Sequence, residues 1–305
     1  MGMGQRRGSN MEGLKHIPVM LNEAVNVLSV MPGRVYVDGT IGGGGFSKEI
    51  LRRSSPDGFL IGIDRDADAV KNVQIELEKE FDKKRFKLFY SNFSKIDKIV
   101  KESGFKNVDG IILDLGISSI QLEGDRGFSF KEEGGLDMRM DKGDGLTAYD
   151  VVNRYPEKIL ADIIWRFGDE RHSRKIARKI VESRKNKRIE TPIELSVIIK
   201  KAIFKGSGKL RIDPATKTFM ALRIFVNKEY DSLIEFLGKL KDVLSRGGVI
   251  AILSFHSGED RIVKNFFKNN PDFKSLSKKP ILPEGEEVGF NPRSRSAKLR
   301  AFCHV

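Results

Sequence analysis

Apolar residues cluster along the chain. Five short runs rich in β-branched and aliphatic residues stand out, at residues 34–38, 59–64, 86–90, 110–115 and 249–255. Most are continuous rather than alternating, which suits strands of a parallel sheet buried on both faces. Helical spacing fills the gaps between them. Residues 47–53 follow the first run. Residues 66–81 follow the second, with Ala69, Val70, Val73 and Leu77 at helical spacing, and residues 93–103 follow the third. Strand alternating with helix predicts a doubly wound α/β fold.

The alternation stops after the fourth run. Residues 121–212 carry no strong strand pattern, and the span is too long for one crossover connection, so it predicts an inserted, mainly helical domain. One helix is expected over residues 169–184. Thr191-Pro192-Ile193-Glu194 is a capping box with proline at the first helical position, opening a helix that runs through Phe204. Gly206-Ser207-Gly208 marks a loop. Asp213-Pro214 starts a long helix to about residue 244, and Arg246-Gly247-Gly248 leads from it into the last strand. The expected organisation is a flexible polar arm at residues 1–10, a Rossmann-like domain from residues 11–120 and 213–305, and a helical insertion at residues 121–212 for substrate recognition.

Composition narrows the class. Hydrophobic residues make up 39% of 305, enough for a real core. No apolar run approaches the roughly 20 residues of a membrane helix, and the N-terminal stretch has no apolar segment, so a cytoplasmic protein is expected. The single cysteine, Cys303, excludes an internal disulfide and a multi-cysteine metal site. No spacing of histidine, cysteine and carboxylate suggests a metal. The net charge of +13 points to a polyanionic partner. Its placement matters more than its size. Arg166, Arg171, Arg174, Lys175, Arg178, Lys179, Arg184, Lys185, Lys187 and Arg188 face only Asp169, Glu170 and Glu182. Lys200, Lys201, Lys205, Lys209 and Arg211 continue the region, and Arg293, Arg295, Lys298 and Arg300 add to it near the C-terminus. Contact with nucleic-acid phosphates is the expected use.

The chemistry is written in the stretch Asp38-Gly39-Thr40-Ile41-Gly42-Gly43-Gly44-Gly45-Phe46-Ser47. A strand ends, a glycine-rich turn follows and a helix begins, at the sheet edge where such folds bind ligands. The second strand ends at Asp64, about 20 residues on, where a carboxylate accepts hydrogen bonds from ribose hydroxyls. An adenosine-bearing cofactor follows. The loop is not G-x-G-x-x-G, because Ser47 stands at the third glycine, and it lacks the lysine of a phosphate-binding loop. An acidic first-strand end suits a sulfonium or an amino group better than a pyrophosphate. These features favour S-adenosylmethionine over NAD.

Further segments narrow the substrate. The chain resembles the bacterial ribosomal RNA small subunit methyltransferase H family from His16 to about Arg300. The resemblance is carried by His16-Ile17-Pro18-Val19-Met20, the glycine loop, Ile63-Asp64-Arg65-Asp66, Asp114-Leu115-Gly116-Ile117-Ser118, Arg126-Gly127-Phe128-Ser129-Phe130 and Leu136-Asp137-Met138-Arg139-Met140-Asp141. Ala215-Thr216-Lys217-Thr218-Phe219, Ala221-Leu222-Arg223-Ile224, Ser254-Phe255-His256-Ser257-Gly258-Glu259-Asp260-Arg261 and Asn291-Pro292-Arg293-Ser294-Arg295 complete it. The resemblance implies methylation of the exocyclic N4 of a cytosine in 16S rRNA. It implies a cofactor pocket of Gly44, Gly45, Phe46, Asp64, Phe93, Asp114 and Gln121, with Phe93 stacking on adenine and Gln121 at the methionine end. Phe46 departs from a usual histidine, Ile120 from proline, Met220 from glutamine and Gly258 from leucine.

A cytosine amine is a poor nucleophile, so an acceptor on its N–H would localise the lone pair. Candidates are the turn from Asp114 to Ser118, Asp137 and His256, with Asp137 and His256 preferred as the catalytic residues. The competing readings are a salt bridge to Arg139 for Asp137 and a structural role for His256. Alternatives to the whole assignment are a methyltransferase on another nucleic acid or on protein, and a non-catalytic ribosome assembly factor with a vestigial cofactor fold. A nicotinamide dehydrogenase comes third. Either a monomer or a homodimer fits.

Overall fold

The computed structural model describes residues 18–122, 125–131, 133–203 and 213–305. The polar arm, His16, Phe204 and the loop around Ser207 lie outside them. The first half alternates as expected: α1 (Leu21–Leu28), β1 (Val35–Asp38), α2 (Gly45–Arg53), β2 (Phe59–Asp64), α3 (Ala67–Glu80), β3 (Phe86–Tyr90), α4 (Ile96–Glu102), β4 (Val108–Asp114) and α5 (Ser119–Leu122). Helices α6 (Ala148–Arg154), α7 (Glu157–Gly168), α8 (Ser173–Asn186) and α9 (Pro192–Ile203) follow, then α10 (Thr216–Val226) and α11 (Glu229–Val243). The chain ends with β5 (Leu244–Ser254), α12 (Ser257–Lys268), β6 (Phe273–Ser275), α13 (Gly285–Phe290) and β7 (Lys298–His304).

The strands form one sheet in the order β3-β2-β1-β4-β5-β7-β6. The first five are parallel, while β7 runs antiparallel to β5 and to β6. Continuous apolar strands are explained by burial on two faces. Val37, Ile61, Ile111 and Ile252 point into one layer with Ile96, Leu233, Phe236 and Leu240. Their neighbours Tyr36, Leu60, Ile112 and Leu253 point into the other with Val25, Ile50, Leu51 and Leu77. The strand order reverses between β1 and β4, and a crevice opens there at the carboxyl ends of the strands.

A second apolar cluster lies within the helical region. Leu136, Met138, Val152, Leu160, Ile164, Ile176, Ile180, Leu195 and Ile199 pack there. Ala215 and, from α10, Phe219, Leu222 and Val226 join them, so this core extends past residue 212. The capping box is present: Thr191 Oγ1 accepts from Glu194 N at 3.2 Å, and Glu194 Oε2 accepts from Thr191 N at 3.3 Å.

The single long helix expected from residue 213 to about 244 is two helices. Lys228 adopts a left-handed conformation with φ 50° between α10 and α11. No glycine or proline marks the break. Asn227 holds it instead, donating to Met138 O and accepting from Met140 N, both at 2.7 Å. The helix expected at residues 169–184 begins later, at Ser173, because Asp169 is the left-handed cap that ends α7. Strands β6 and β7 were not expected.

Candidate active site

The glycine turn between β1 and α2 is ordered from below by Asp38. This side chain is fully buried, accepting from Ser47 Oγ at 2.7 Å and from Thr40 N at 3.2 Å. Burial pushes its carboxyl up to about 6 despite these bonds. Asp38 therefore organises the loop rather than facing a ligand, contrary to the sequence argument about a charge beside a sulfonium. Gly44 has φ 79°, and a Cβ there would lie 2.9 Å from Val73 Cγ1. At Gly45 a Cβ would lie 2.2 Å from Pro18 Cγ. Both positions exclude other residues, one by conformation and contact with α3, the other by contact alone.

A cavity of about 580 Å³ opens above this loop, within the ordinary range for a small-molecule site. Asp64, at the end of β2, accepts from Gly42 N at 2.8 Å and from Asp66 N at 2.9 Å. Each of its oxygens keeps a lone pair for a further donor. Burial raises its pKa against those bonds. Phe93 lines the cavity and packs edge-on against Phe236 at 5.6 Å. Gln121 donates to Asp66 Oδ2 at 3.3 Å and accepts from Ser118 N at 3.2 Å, which fixes its amide at the cavity wall.

Asp114 ends β4 at the switch point. Its N–H donates to Thr40 Oγ1 at 2.7 Å, tying it to the glycine turn. Its Oδ1 is buried and has no hydrogen-bond partner. Burial first, then the carboxylates of Asp38 and Glu259, push its pKa up to about 8. An unpartnered buried carboxyl is costly unless a ligand completes it.

The far wall comes from α10, α11 and α12. Arg223 and Glu229 form a two-point ion pair, at 2.9 and 3.0 Å, with both side chains mostly buried. Glu259 is fully buried and accepts from Phe255 N at 2.9 Å. Burial would raise its pKa, but His256, Arg223 and that N–H together hold it low. The helical region is fastened to the rim by Arg126 on Asp66 and by Arg65 on Asp144 at 2.9 Å.

Six of the seven expected cofactor residues line the cavity: Gly45, Phe46, Asp64, Phe93, Asp114 and Gln121. Gly44 does not, and Gly42 and Gly43 take its place. The two expected catalytic residues do not line it either. Asp137 is clamped by Arg139, with Nε–Oδ1 at 2.7 Å and Nη2–Oδ2 at 2.8 Å. Burial would raise its pKa, but Arg139 holds it low. His256 caps α12, its Nδ1 accepting weakly from Glu259 N at 3.4 Å. Its Nε2 lies 3.0 Å from Glu259 Oε1 without an aligned hydrogen bond. The N-cap of α12 is thus His256. Sequence reasoning assigned no role to Arg223, Glu229, Tyr230 or Glu259. Arg223 and Glu259 stand in the two motifs that carried the resemblance, which was the available signal.

Residues 13–305 match the MraW methylase family. The chain belongs to that family. Among curated relatives, the ribosomal RNA small subunit methyltransferase H of Persephonella marina is 47% identical, over 96% of this chain and 100% of its own length. That of Syntrophobacter fumaroxidans is 44% identical, over 94% of this chain and 96% of its own. A solved structure described as an rRNA-methylase from Clostridium thermocellum shares the fold, with a TM-score of 0.50 at 13% identity, covering 95% of this chain and all of that one. The fold is the Rossmann-like one of S-adenosylmethionine-dependent methyltransferases, and the donor for this methylase is S-adenosylmethionine. The site fits it: the unpartnered Asp114 Oδ1 suits a cationic ligand, and Gly43 has open space above its Cα.

Proposed function

We propose that this chain methylates the exocyclic N4 of a cytosine in 16S rRNA of the small ribosomal subunit. The observation that carries the reading is Asp114. It is a buried acceptor without a partner, at the switch point, on the same cavity as the glycine turn and Asp64. Bound S-adenosylmethionine supplies an electrophilic methyl group on a sulfonium. Asp64 would hold the ribose hydroxyls, Phe93 the adenine face and Gln121 the methionine end. Gly42, Gly43 and Gly45 would let the backbone approach.

Asp114 replaces Asp137 and His256 as the acceptor. Its Oδ1 takes a hydrogen bond from one amine N–H of the base, which localises the nitrogen lone pair. It then receives the proton that leaves that nitrogen, and alignment and electrostatics complete the catalysis. The ionised form is the working one. A rising pH and a neighbouring cation both favour it.

The helical region and α10 form the substrate-recognition unit in this reading. Its basic face is narrower than the sequence implied. Arg184 donates to Val152 O and Tyr155 O, and Arg188 to Asn153 O, so these two hold α6. Lys187 pairs with Glu194 at 2.7 Å. Arg171, Arg174, Lys175 and Lys185 are exposed and carry no ion pair among the described residues, which leaves them for phosphates. No described helix is long and apolar enough to cross a membrane, and the described residues hold no cluster of metal-ligating side chains. The reading places the chain in the cytoplasm with the ribosome.

Labelled S-adenosylmethionine and small subunits lacking the modification test it. Label recovered in N4-methylcytidine, and lost in Asp64→Ala, is the expected result. Label in another nucleoside overturns the substrate. No transfer and no cofactor binding would favour an assembly factor.

A further inference from the structure

The sheet gives the cavity two ends. The glycine turn after β1 and Asp64 after β2 define one, where the cofactor features gather. Phe255 after β5, with Arg223, Tyr230 and Glu259, defines the other. Asp114 after β4 lies between them in strand order. A substrate that reaches Asp114 from the side away from the cofactor meets the second end.

Most polar groups at that end are already matched. Arg223 is paired with Glu229, and Glu259 with Phe255 N and His256. Tyr230, in the first turn of α11, is the aromatic ring there that comes with a polar tip. Its setting is unusual. A Cβ on Gly258 would lie 1.8 Å from Tyr230 Oη and 2.7 Å from its Cζ. The phenol therefore occupies the place that a side chain at position 258 would need. Its ring lies 5.5 Å from Phe167 of α7 and 5.8 Å from His256, and its hydroxyl is 3.5 Å from His256 Nδ1. Burial raises its pKa, so it stays a neutral phenol. A flat, neutral ring clamped between α7 and α12 suits a nucleobase rather than a charged group.

We propose that Tyr230 is a specificity-determining residue that walls the target-base end of the cavity, and that Gly258 is required because it makes room for the phenol. Position 258, where the family resemblance leads one to expect leucine, and position 230 then form a coupled pair. A larger residue at 258 drives the phenol out of its slot into the cavity. It obstructs the base while leaving the Asp64 end intact. This rests on the acceptor being an rRNA base.

The test is a double-mutant cycle in the full chain: Gly258→Leu, Tyr230→Leu and the two together. Methyl transfer is read against small-subunit concentration, S-adenosylmethionine affinity by calorimetry and stability by thermal unfolding. Gly258→Leu is expected to lower kcat/KM for the subunit by at least about tenfold, with cofactor affinity within about twofold. Tyr230→Leu raises KM for the subunit by about fivefold or more, again without loss of cofactor binding. Adding Tyr230→Leu to Gly258→Leu recovers at least about fivefold of the lost kcat/KM, because the displaced ring is gone. If Gly258→Leu does not fold, the pair Gly258→Ala and Tyr230→Phe reads the same coupling, since the phenylalanine lacks the atom 1.8 Å from the new Cβ. The proposal is overturned if the two sites act independently, if Tyr230→Leu transfers like wild type, or if cofactor affinity falls in step with transfer. Absence of transfer to cytidine by the wild-type chain overturns the substrate reading itself, whereas transfer by the wild type without coupling overturns the inference alone.

Discussion

Asp114→Asn tests the central electrostatic claim. Its carboxyl ionises near 3.8 when the chain is unfolded and at about 8 in the fold, because of burial and then Asp38 and Glu259. Between those values the unfolded state has lost the proton and the folded state keeps it. Stability therefore falls as pH rises, at about 1.4 kcal/mol per pH unit, and levels off above about 8. Asp38, pushed up to about 6, contributes a similar fall, and Asp64 and Glu287, raised by burial, add falls of the same sign; both proteins share these, so the difference between them from about pH 6 to 8 reports Asp114. Over that window the slope amounts to roughly 3 kcal/mol. This is an upper value, because the side chain also faces the cavity and its water. At about 2 °C per kcal/mol for a chain of this size, the wild-type protein should lose up to roughly 6 °C more in Tm than the asparagine variant.

The assay is thermal unfolding of both proteins, without ligand, in matched ionic strength from about pH 6 to pH 9. A gap that opens up to about pH 8 and then stays constant is expected. Saturating S-adenosylmethionine should narrow it, since a cation beside the carboxylate favours the ionised form and repays its burial. Asp114→Asn should also abolish transfer. Parallel Tm curves for the two proteins would refute the reasoning, because an Asp114 with an ordinary pKa would lack the buried, unpartnered character on which the proposed proton acceptor depends.

Three other outcomes follow from the geometry. Gly44→Ala places a Cβ at φ 79° and 2.9 Å from Val73 Cγ1, and should cost about 1–3 kcal/mol in denaturant unfolding with weaker cofactor binding; a change under about 0.5 kcal/mol would contradict the close contact. Arg223→Met leaves Glu229 buried without its partner and should destabilise by about 3–5 kcal/mol, while adding Glu229→Met should recover part of the loss in the same unfolding assay. Replacing Arg171, Arg174, Lys175 and Lys185 with alanine should raise KM for small subunits and reduce the log–log salt slope by about 0.7–0.9 per lost phosphate contact; an unchanged slope would remove this face from the RNA interface.

The features legible in the sequence are those whose causes are local. Most of the five parallel strands announce themselves because burial on both faces leaves a nearly continuous apolar run, as in Phe59–Asp64 and Val108–Asp114; β3, with Lys87 exposed, is the weaker signal. The glycine turn is legible because Gly44 and Gly45 answer constraints of a few ångströms. Elements set by distant partners stayed hidden. The break at Asn227 and Lys228 has no local breaker, because it is held by the carbonyl of Met138 and the N–H of Met140 from the other side of the helical core. Strand β7 was missed because Lys298, Leu299, Arg300 and Ala301 read as the end of a basic segment. Its cations are in fact neutralised by Asp260, with Lys298 at 3.1 Å and Arg300 at 2.7 Å. The same logic explains the acceptor. Asp137 and His256 looked reactive from their motifs, yet neither lines the cavity: Asp137 is clamped by Arg139, and His256 caps α12 through Nδ1, its Nε2 turned toward Glu259. Asp114 was a weaker candidate in the sequence, but in the fold its Oδ1 is left without a donor. What marks Asp114 as the proposed acceptor is an unpartnered oxygen on the cavity wall, a combination that becomes visible when every surrounding element is in place.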